Sequence, residues 1–290
     1  MNIGFIGLGK MGSRMVTTLS KKQKIVATDI NRNQRRKHGK VCKIVPSTTE
    51  LCAALKPPRV VWLMVPSNHV DEILAELIDN LDKGDIIVDG GNSHFKESIA
   101  RATVLAEEGI KYLDIGTSGG TVSENLCMMV GGPVSAYRKI VPVLKRLCGN
   151  GYQHVGDTGS GHYVKMVHNA IEYGCMQSLA EGFHMMHETE LFDLDTKRIS
   201  KLWMDGSILQ GTLLNTIHTS LKKDAELKKS THLVNDTGEA RWAVHSAIEE
   251  GTSIPSLSLA LMNRFDSQDT SQFRNRLLSA MRHEFGGHKK

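Results

Sequence analysis

The chain has 290 residues, 40% hydrophobic and 23% charged, with 36 basic and 31 acidic side chains giving a net charge of +5. That is enough chain for two domains with cores of their own, and the mild positive excess favours small anionic ligands without implying nucleic acid. No apolar run reaches the roughly 18–20 residues that a bilayer span needs, and five cysteines with no CxxC spacing speak against a disulfide framework or a zinc site.

In chain order, the first residues enter a strand with no basic leader before it, so no signal peptide and a reducing, cytoplasmic setting are expected. Short Val- and Ile-rich runs at 2–6, 25–28, 60–65, 86–89, 112–115 and 128–130 alternate with polar, helix-like stretches. The pattern predicts an α/β domain over residues 1–160, a Rossmann-type doubly wound, mostly parallel sheet covered by helices on both faces. Past residue 160 the strand-like runs end. Residues 163–187 contain no proline and only two glycines, and predict one long helix. Helical patterns over 195–228 and 236–263 and a short helix near the end complete an all-α C-terminal domain over 161–290.

The run Gly7-Leu8-Gly9-Lys10-Met11-Gly12 fits G-x-G-x-x-G, directly after a strand and opening a helix. Gly7 suits a tight turn, Gly9 a close approach to a pyrophosphate, and Gly12 close packing of helix on strand. The helix N-terminus then offers N–H groups and a positive dipole end to phosphates. Asp29 ends the second strand, 17 residues after Gly12. A carboxylate there hydrogen-bonds ribose hydroxyls and repels a 2′-phosphate, which favours NAD, with NADP left open because Arg32 can offset the repulsion. The basic stretch 32–40 is either a solvated helix surface or a 2′-phosphate contact, and no aromatic residue interleaves with it as a single-strand groove requires. Met64 and Val65 close the third of these runs, either beneath a nicotinamide or in the core.

On a helix, Lys165, His168, Asn169, Glu172 and Tyr173 share one face, and Val164, Val167 and Ile171 share another. Lys165 and Glu172 stand two turns apart, about 10.5 Å along the axis and within about 20° of each other. An amine and a carboxyl so spaced suit paired acid–base work. Oxidising a secondary alcohol needs a base for its hydroxyl proton, and a partly dehydrated lysine can serve. If the oxidised product loses CO2, the enediol left behind needs a proton on carbon, which Glu172 can supply. Asn92, in Asp89-Gly90-Gly91-Asn92-Ser93, can position a substrate hydroxyl or the nicotinamide amide. Ser118, Gly119 and Gly120, expected in a loop after a strand, leave backbone N–H groups and a hydroxyl for a carboxylate, although either loop can equally be a simple turn. His184 and His187 lie three residues apart and cannot close a metal site by themselves, so no metal is expected.

With these pieces together, the sequence resembles the 6-phosphogluconate dehydrogenase family of the β-hydroxyacid dehydrogenase superfamily. The resemblance rests on GLGKMG (7–12), DGGNS (89–93), SGG (118–120) and, above all, GHYVKMVHNAIEYGCMQ (161–177). It implies 6-phospho-D-gluconate as substrate, with ribulose 5-phosphate, CO2 and reduced cofactor as products, as in the pentose phosphate pathway. It implies Lys165 as general base and Glu172 as general acid. Asn92, Ser118, Gly119, Gly120, His168 and Asn169 would hold the sugar acid, with Tyr173, Arg241 and Arg264 at its phosphate. By the same resemblance Arg282 and His288, in the tail, reach a neighbouring subunit's site, which implies a homodimer or homotetramer with shared active sites. The chain lacks the second half of the helical domain of the long family members and looks like the short, NAD-preferring form. Two rivals stay open: a non-decarboxylating 3-hydroxyacid dehydrogenase, which needs no phosphate-binding arginines, and a silent dinucleotide-binding regulator.

Overall fold

In the computed structural model, residues 3–119 and 126–286 are described, so Gly120 and His288 lie outside the described residues. The chain divides into two compact units, residues 1–168 and 169–290.

The first unit holds β1 (Ile3–Ile6), α1 (Lys10–Ser20), β2 (Ile25–Thr28), α2 (Arg32–His38), β3 (Lys43–Ile44), α3 (Thr48–Ala53) and β4 (Val60–Leu63). It continues with α4 (Val70–Ile78), β5 (Ile86–Asp89), α5 (Phe95–Glu107), β6 (Lys111–Gly119), β7 (Leu126–Gly131), α6 (Val134–Cys148) and β8 (Tyr152–Gly156). The strands form one sheet in the order β3-β2-β1-β4-β5-β6-β7-β8. The first six of these follow the dinucleotide-binding order, and among the described residues every pairing is parallel except β6 with β7.

Continuous apolar strands are explained by burial on both faces. Side chains alternate along each strand, so successive residues enter opposite layers. Ile3 and Phe5 of β1, Val60 and Trp62 of β4, and Ile86 and Val88 of β5 join Met15, Val16 and Leu19 of α1 and Ile140, Val143 and Leu144 of α6. The alternate residues Ile6, Val61, Leu63 and Ile87 join Leu51 of α3, Leu74 and Leu77 of α4, and Leu105 of α5. The Phe5 and Trp62 rings, paired in register across β1 and β4, stack at 5.7 Å.

Helix α7 (Ser160–Glu188) is continuous, as the sequence predicts, and the division between units falls within it. The second unit adds only helices among its described residues: α8 (Thr196–Gly206), α9 (Thr212–Lys223), α10 (Glu239–Glu249), α11 (Pro255–Ser267) and α12 (Phe273–Gly286). Its core is small, built on Tyr173, Ala240, Ala260 and Leu261 with Val244 and Phe265 against them.

Three sequence expectations need correction. The segment 116–119 is not a loop after a strand but the continuation of β6, paired antiparallel with β7 from Gly116↔Met129 to Gly119↔Leu126. Pairing in the sheet overrides the weak strand propensity of the glycines and Ser118. The two short strands β3 and β8 carry no apolar run that marks them, being Lys-Ile and Tyr-Gln-His-Val-Gly.

Candidate active site

The glycine-rich loop has the local geometry that its sequence demands. Gly7 has φ +100°, and a Cβ there would lie 2.4 Å from the Met64 carbonyl oxygen. A Cβ on Gly12 would collide with the Gly7 carbonyl oxygen, so α1 can meet β1 this closely only with glycine. Gly9 is different: an added Cβ would meet nothing within 4 Å. It is also the N-cap of α1, and no side chain caps the first turn. Open space, uncapped N–H groups and a positive helix end at one point fit a dinucleotide pyrophosphate. Lys10 is exposed beside it, Met11 packs on the core, and Leu8 is fully buried, so Leu8 can serve a ligand only through its backbone.

The Asp29 carboxylate accepts hydrogen bonds from the Leu8 N–H at 2.5 Å and the Asn31 N–H at 2.7 Å. It therefore ties the end of β2 to the glycine loop, and only its remaining lone pairs can take ribose hydroxyls. Met64 and Val65 are half-buried, Met64 against one core layer and Val65 against the other.

Asn92 is exposed on a loop that a buried carboxylate shapes. Asp89, fully buried, accepts from the Gly91 N–H at 3.0 Å, the Ser93 hydroxyl at 2.7 Å and the Tyr112 hydroxyl at 2.8 Å. Arg101 stands 3.7 Å from Asp89 and is itself held by Asp71 and Glu97. Burial and the adjacent Asp89 carboxylate push the Tyr112 hydroxyl well above its ordinary pKa, so it stays a proton donor to Asp89.

A second buried carboxylate anchors α7. Asp114 accepts from the Gly159 N–H at 2.7 Å and the His162 N–H at 2.8 Å, which places negative charge at the helix's positive end. His162 is buried and its Nδ1 meets the Ser98 hydroxyl at 2.8 Å, tying α7 to α5. Gly161 lies so close to β6 and β7 that a Cβ there would be 2.3 Å from the Asp114 carbonyl oxygen. Lys165 follows one turn later, its Cβ 2.3 Å from where a Cβ on Gly116 would sit. His168 Nε2 is 3.3 Å from the Ser118 hydroxyl. The first unit thus brings Ser118, Lys165 and His168 to one end of β6, and Gly119 beside them is exposed with φ +84°.

Along α7 the apolar Met166 and Ala170 are buried as on an ordinary packed helix, but a row of polar side chains is shielded as well. The polar stripe Lys165, His168, Asn169 and Glu172 is half-buried and Tyr173 is buried, whereas Val164 is 37% exposed and Ile171 is 51% exposed.

In the second unit, Asn169 donates to Glu239 at 2.7 Å, and Glu239 is buried. Tyr173, Arg241 and Arg264 come together. The Arg264 guanidinium lies 3.5 Å above the Tyr173 ring and donates to the Asn235 carbonyl at 2.7 Å. Arg241 lies 4.5 Å above the Phe265 ring, its Nε hydrogen-bonded to Asp236. Tyr173 receives the Thr237 N–H at 3.1 Å and points its hydroxyl at Asp236, 3.5 Å away. Arg282 is different: it is exposed on α12. An apolar groove of about 460 Å³, lined by Met176, Phe183, His187, Ile217 and Leu221 among others, contains none of these residues. The candidate residues fall in two polar clusters, one in each unit, and not in this groove.

Sequence reading missed Asp114, Arg101, Tyr112, Asp236 and Glu239. A signal existed for one of them: Asp114 interrupts the apolar run Tyr112–Ile115, and a charge inside a buried strand needs partners. Among the described residues there is no cluster of three metal-ligating side chains and no helix long and apolar enough to cross a membrane.

A doubly wound sheet with a fitted glycine loop, followed by a helical unit, defines an NAD-binding oxidoreductase. Residues 2–156 match the NAD-binding domain of 6-phosphogluconate dehydrogenase, and residues 161–191 and 187–289 match the C-terminal domain of the same enzyme. The chain belongs to the 6-phosphogluconate dehydrogenase family. It is 36% identical to the NAD(+)-dependent, decarboxylating 6-phosphogluconate dehydrogenase of Haloferax volcanii, over 100% of this chain and 98% of that one. It is 37% identical to YqeC of Bacillus subtilis, a protein provisionally named as such a dehydrogenase, over 99% of this chain and 98% of that one. Among solved structures it matches 6-phosphogluconate dehydrogenase of Plasmodium falciparum with a TM-score of 0.86 at 29% identity, over 99% of this chain and 65% of that one. That protein has been seen with NADP+ and with 6-phosphogluconate. A 3-hydroxyisobutyrate dehydrogenase of Mycobacterium tuberculosis, 20% identical with a TM-score of 0.73 over 89% of this chain and 90% of that one, shares the fold.

Proposed function

We propose that this chain oxidatively decarboxylates 6-phospho-D-gluconate to ribulose 5-phosphate and CO2, with NAD as the preferred hydride acceptor. What supports the reading is α7, whose polar side chains Lys165, His168, Asn169 and Glu172 are half-buried in a row while Val164 and Ile171 on the same helix are exposed. A helix with only a packing role would leave such a row of charged and polar side chains in solvent.

The nicotinamide, when bound, supplies a hydride acceptor for C3 of the substrate. Lys165, as the neutral amine, takes the C3 hydroxyl proton as that hydride leaves. The resulting 3-keto acid loses its carboxylate as CO2. The electron pair of the broken C–C bond moves toward the C3 carbonyl, which the protonated Lys165 stabilises by returning its proton. Glu172 protonates the carbon that lost CO2 while the neutral Lys165 takes back the proton of the C3 enol hydroxyl, turning the enediol into the ketose. Ser118, Gly119, Gly120, His168, Asn169 and Asn92 hold the sugar acid. Tyr173, Arg241 and Arg264 take the phosphate, for which arginine's planar fork is suited. Asp29, with its remaining acceptor capacity, selects the unphosphorylated ribose. Arg282 and His288 complete a neighbouring subunit's site in a dimer or tetramer. The chain works in the cytoplasm.

Lys165→Met tests the assignment: kcat should fall by a factor on the order of 10³ or more, with the NADH dissociation constant within about twofold of the parent. Loss of NADH binding as well would show that Lys165 supports the fold instead.

A further inference from the structure

Three groups compete for the guanidinium of an arginine that faces an anionic substrate: the substrate, solvent and any neighbouring carboxylate. For Arg241 the neighbour is Asp236, whose side chain is only 3% exposed while that of Arg241 is 56% exposed. The carboxylate is fixed from several sides. It accepts the Gly238 N–H at 2.9 Å and the Arg241 Nε–H, and it faces the Tyr173 hydroxyl at 3.5 Å. Burial raises its pKa, but the hydrogen bonds from Arg241 and Gly238 outweigh burial and leave it below the ordinary carboxylate value. The contact uses Nε alone. The two terminal nitrogens of Arg241, the pair that matches two phosphate oxygens, take no part in this ion pair, the side chain is 56% exposed, and the guanidinium lies 4.5 Å from the Phe265 ring.

We propose that Asp236 is a specificity-determining positioning residue, which clamps Arg241 by Nε so that its terminal fork is presented to the phosphate ester of the substrate, and sets the Tyr173 hydroxyl beside it. The inference rests on the reading of Arg241 and Tyr173 as phosphate ligands. It gives a buried carboxylate a role that charge alone would not predict. A negative group near an anion site weakens binding by Coulomb repulsion. A clamp strengthens it, because an arginine held in place loses less rotamer freedom on binding. The sign of the effect therefore separates the two.

The test is steady-state kinetics of Asp236→Asn with 6-phosphogluconate and with phosphate-free gluconate. Asparagine keeps an oxygen for Gly238 and turns a donor toward Arg241, which breaks the clamp and preserves the turn. The KM for 6-phosphogluconate should rise about tenfold. The kcat and the KM for NAD should change by less than about threefold, and kcat/KM for gluconate should not fall. Asp236→Glu, which keeps the charge, should recover part of the loss. In an Arg241→Ala background the rise in KM caused by Asp236→Asn should be absent, and any general destabilisation by Asp236→Asn enters both backgrounds and cancels from the coupling between the two residues. A lower KM in Asp236→Asn, or an equal rise with Arg241 absent, overturns the clamp. An Arg241→Ala enzyme whose KM for 6-phosphogluconate is unchanged overturns the phosphate reading itself.

Discussion

Gly116 shows how far a single atom governs this site. Its missing Cβ would stand 2.3 Å from Lys165 Cβ and 2.5 Å from the Gly161 carbonyl oxygen. No rotamer relieves contact with a helix backbone, so Gly116→Ala must push α7 away from β6. A displacement of this kind costs on the order of 10²-fold in rate when reacting groups are misaligned. The expected outcome is a kcat loss of about that size with NADH affinity kept, measured by turnover and fluorescence titration. A variant with full kcat would mean that Lys165 need not sit where β6 holds it. Asp236 makes a separate prediction with pH. Its folded pKa is depressed by Arg241 and Gly238 against the opposing effect of burial. The stability it adds is thus complete above its unfolded value of about 3.9 and is lost as pH falls through the lowered folded value. In urea titrations, Arg241→Met should differ from the parent by a constant margin above about pH 4, with the margin shrinking below. Neither effect could be read from composition. Lys165 and Glu172 were legible because seven-residue spacing on a helix is a property of sequence; Gly116 was not, since its meaning depends on which helix crosses it.

At the scale of elements, α7 depends on Asp114. That carboxylate is fully buried and meets two N–H groups at the start of the helix. Asp114→Asn removes the charge and leaves one acceptor for two donors. An unsatisfied buried donor costs about 1–3 kcal/mol, so chemical denaturation should report a loss in that range. An unchanged midpoint would show that the anchor lies elsewhere. The helix itself was clear in advance from its long unbroken pattern, and so were the strands with apolar runs of four residues or more. What escaped were elements defined by partners. The stretch 116–119, with two glycines in four residues, carries no apolar run to mark a strand, yet β7 pairs with it residue by residue. The strands β3 and β8 lie at the two ends of the sheet, where one-sided pairing demands less of the sequence.

For the whole molecule, the two units differ in how fully they bury their apolar side chains. The first unit buries two aliphatic layers around its sheet. The second leaves Met185, Phe192, Leu202 and Ile208 at least 67% exposed, and on α12 Leu277, Leu278 and Met281 are also exposed. Single exposed hydrophobes are unremarkable, but so many in one helical unit match the proposed homo-oligomer. Sedimentation should then give a dimer or tetramer, and the melting temperature should rise with protein concentration. A monomer with a concentration-independent melt would remove the shared-site part of the account. The arginines proposed to bind phosphate were legible only through family resemblance, because an isolated arginine on a helix most often faces solvent. The cluster of Arg264 on Tyr173 and Arg241 on Asp236 emerges only when α7, α10 and α11 are folded.

The central claim is that one helix carries both the base for oxidation and the acid that completes decarboxylation. Its most direct test supplies 6-phosphogluconate and NAD and counts NADH and trapped CO2 in the same reaction. The account predicts one CO2 for each NADH with the parent enzyme, and a 3-keto acid or enediol that reaches product slowly in Glu172→Gln. NADH formed without CO2, or full turnover in Glu172→Gln, would contradict it.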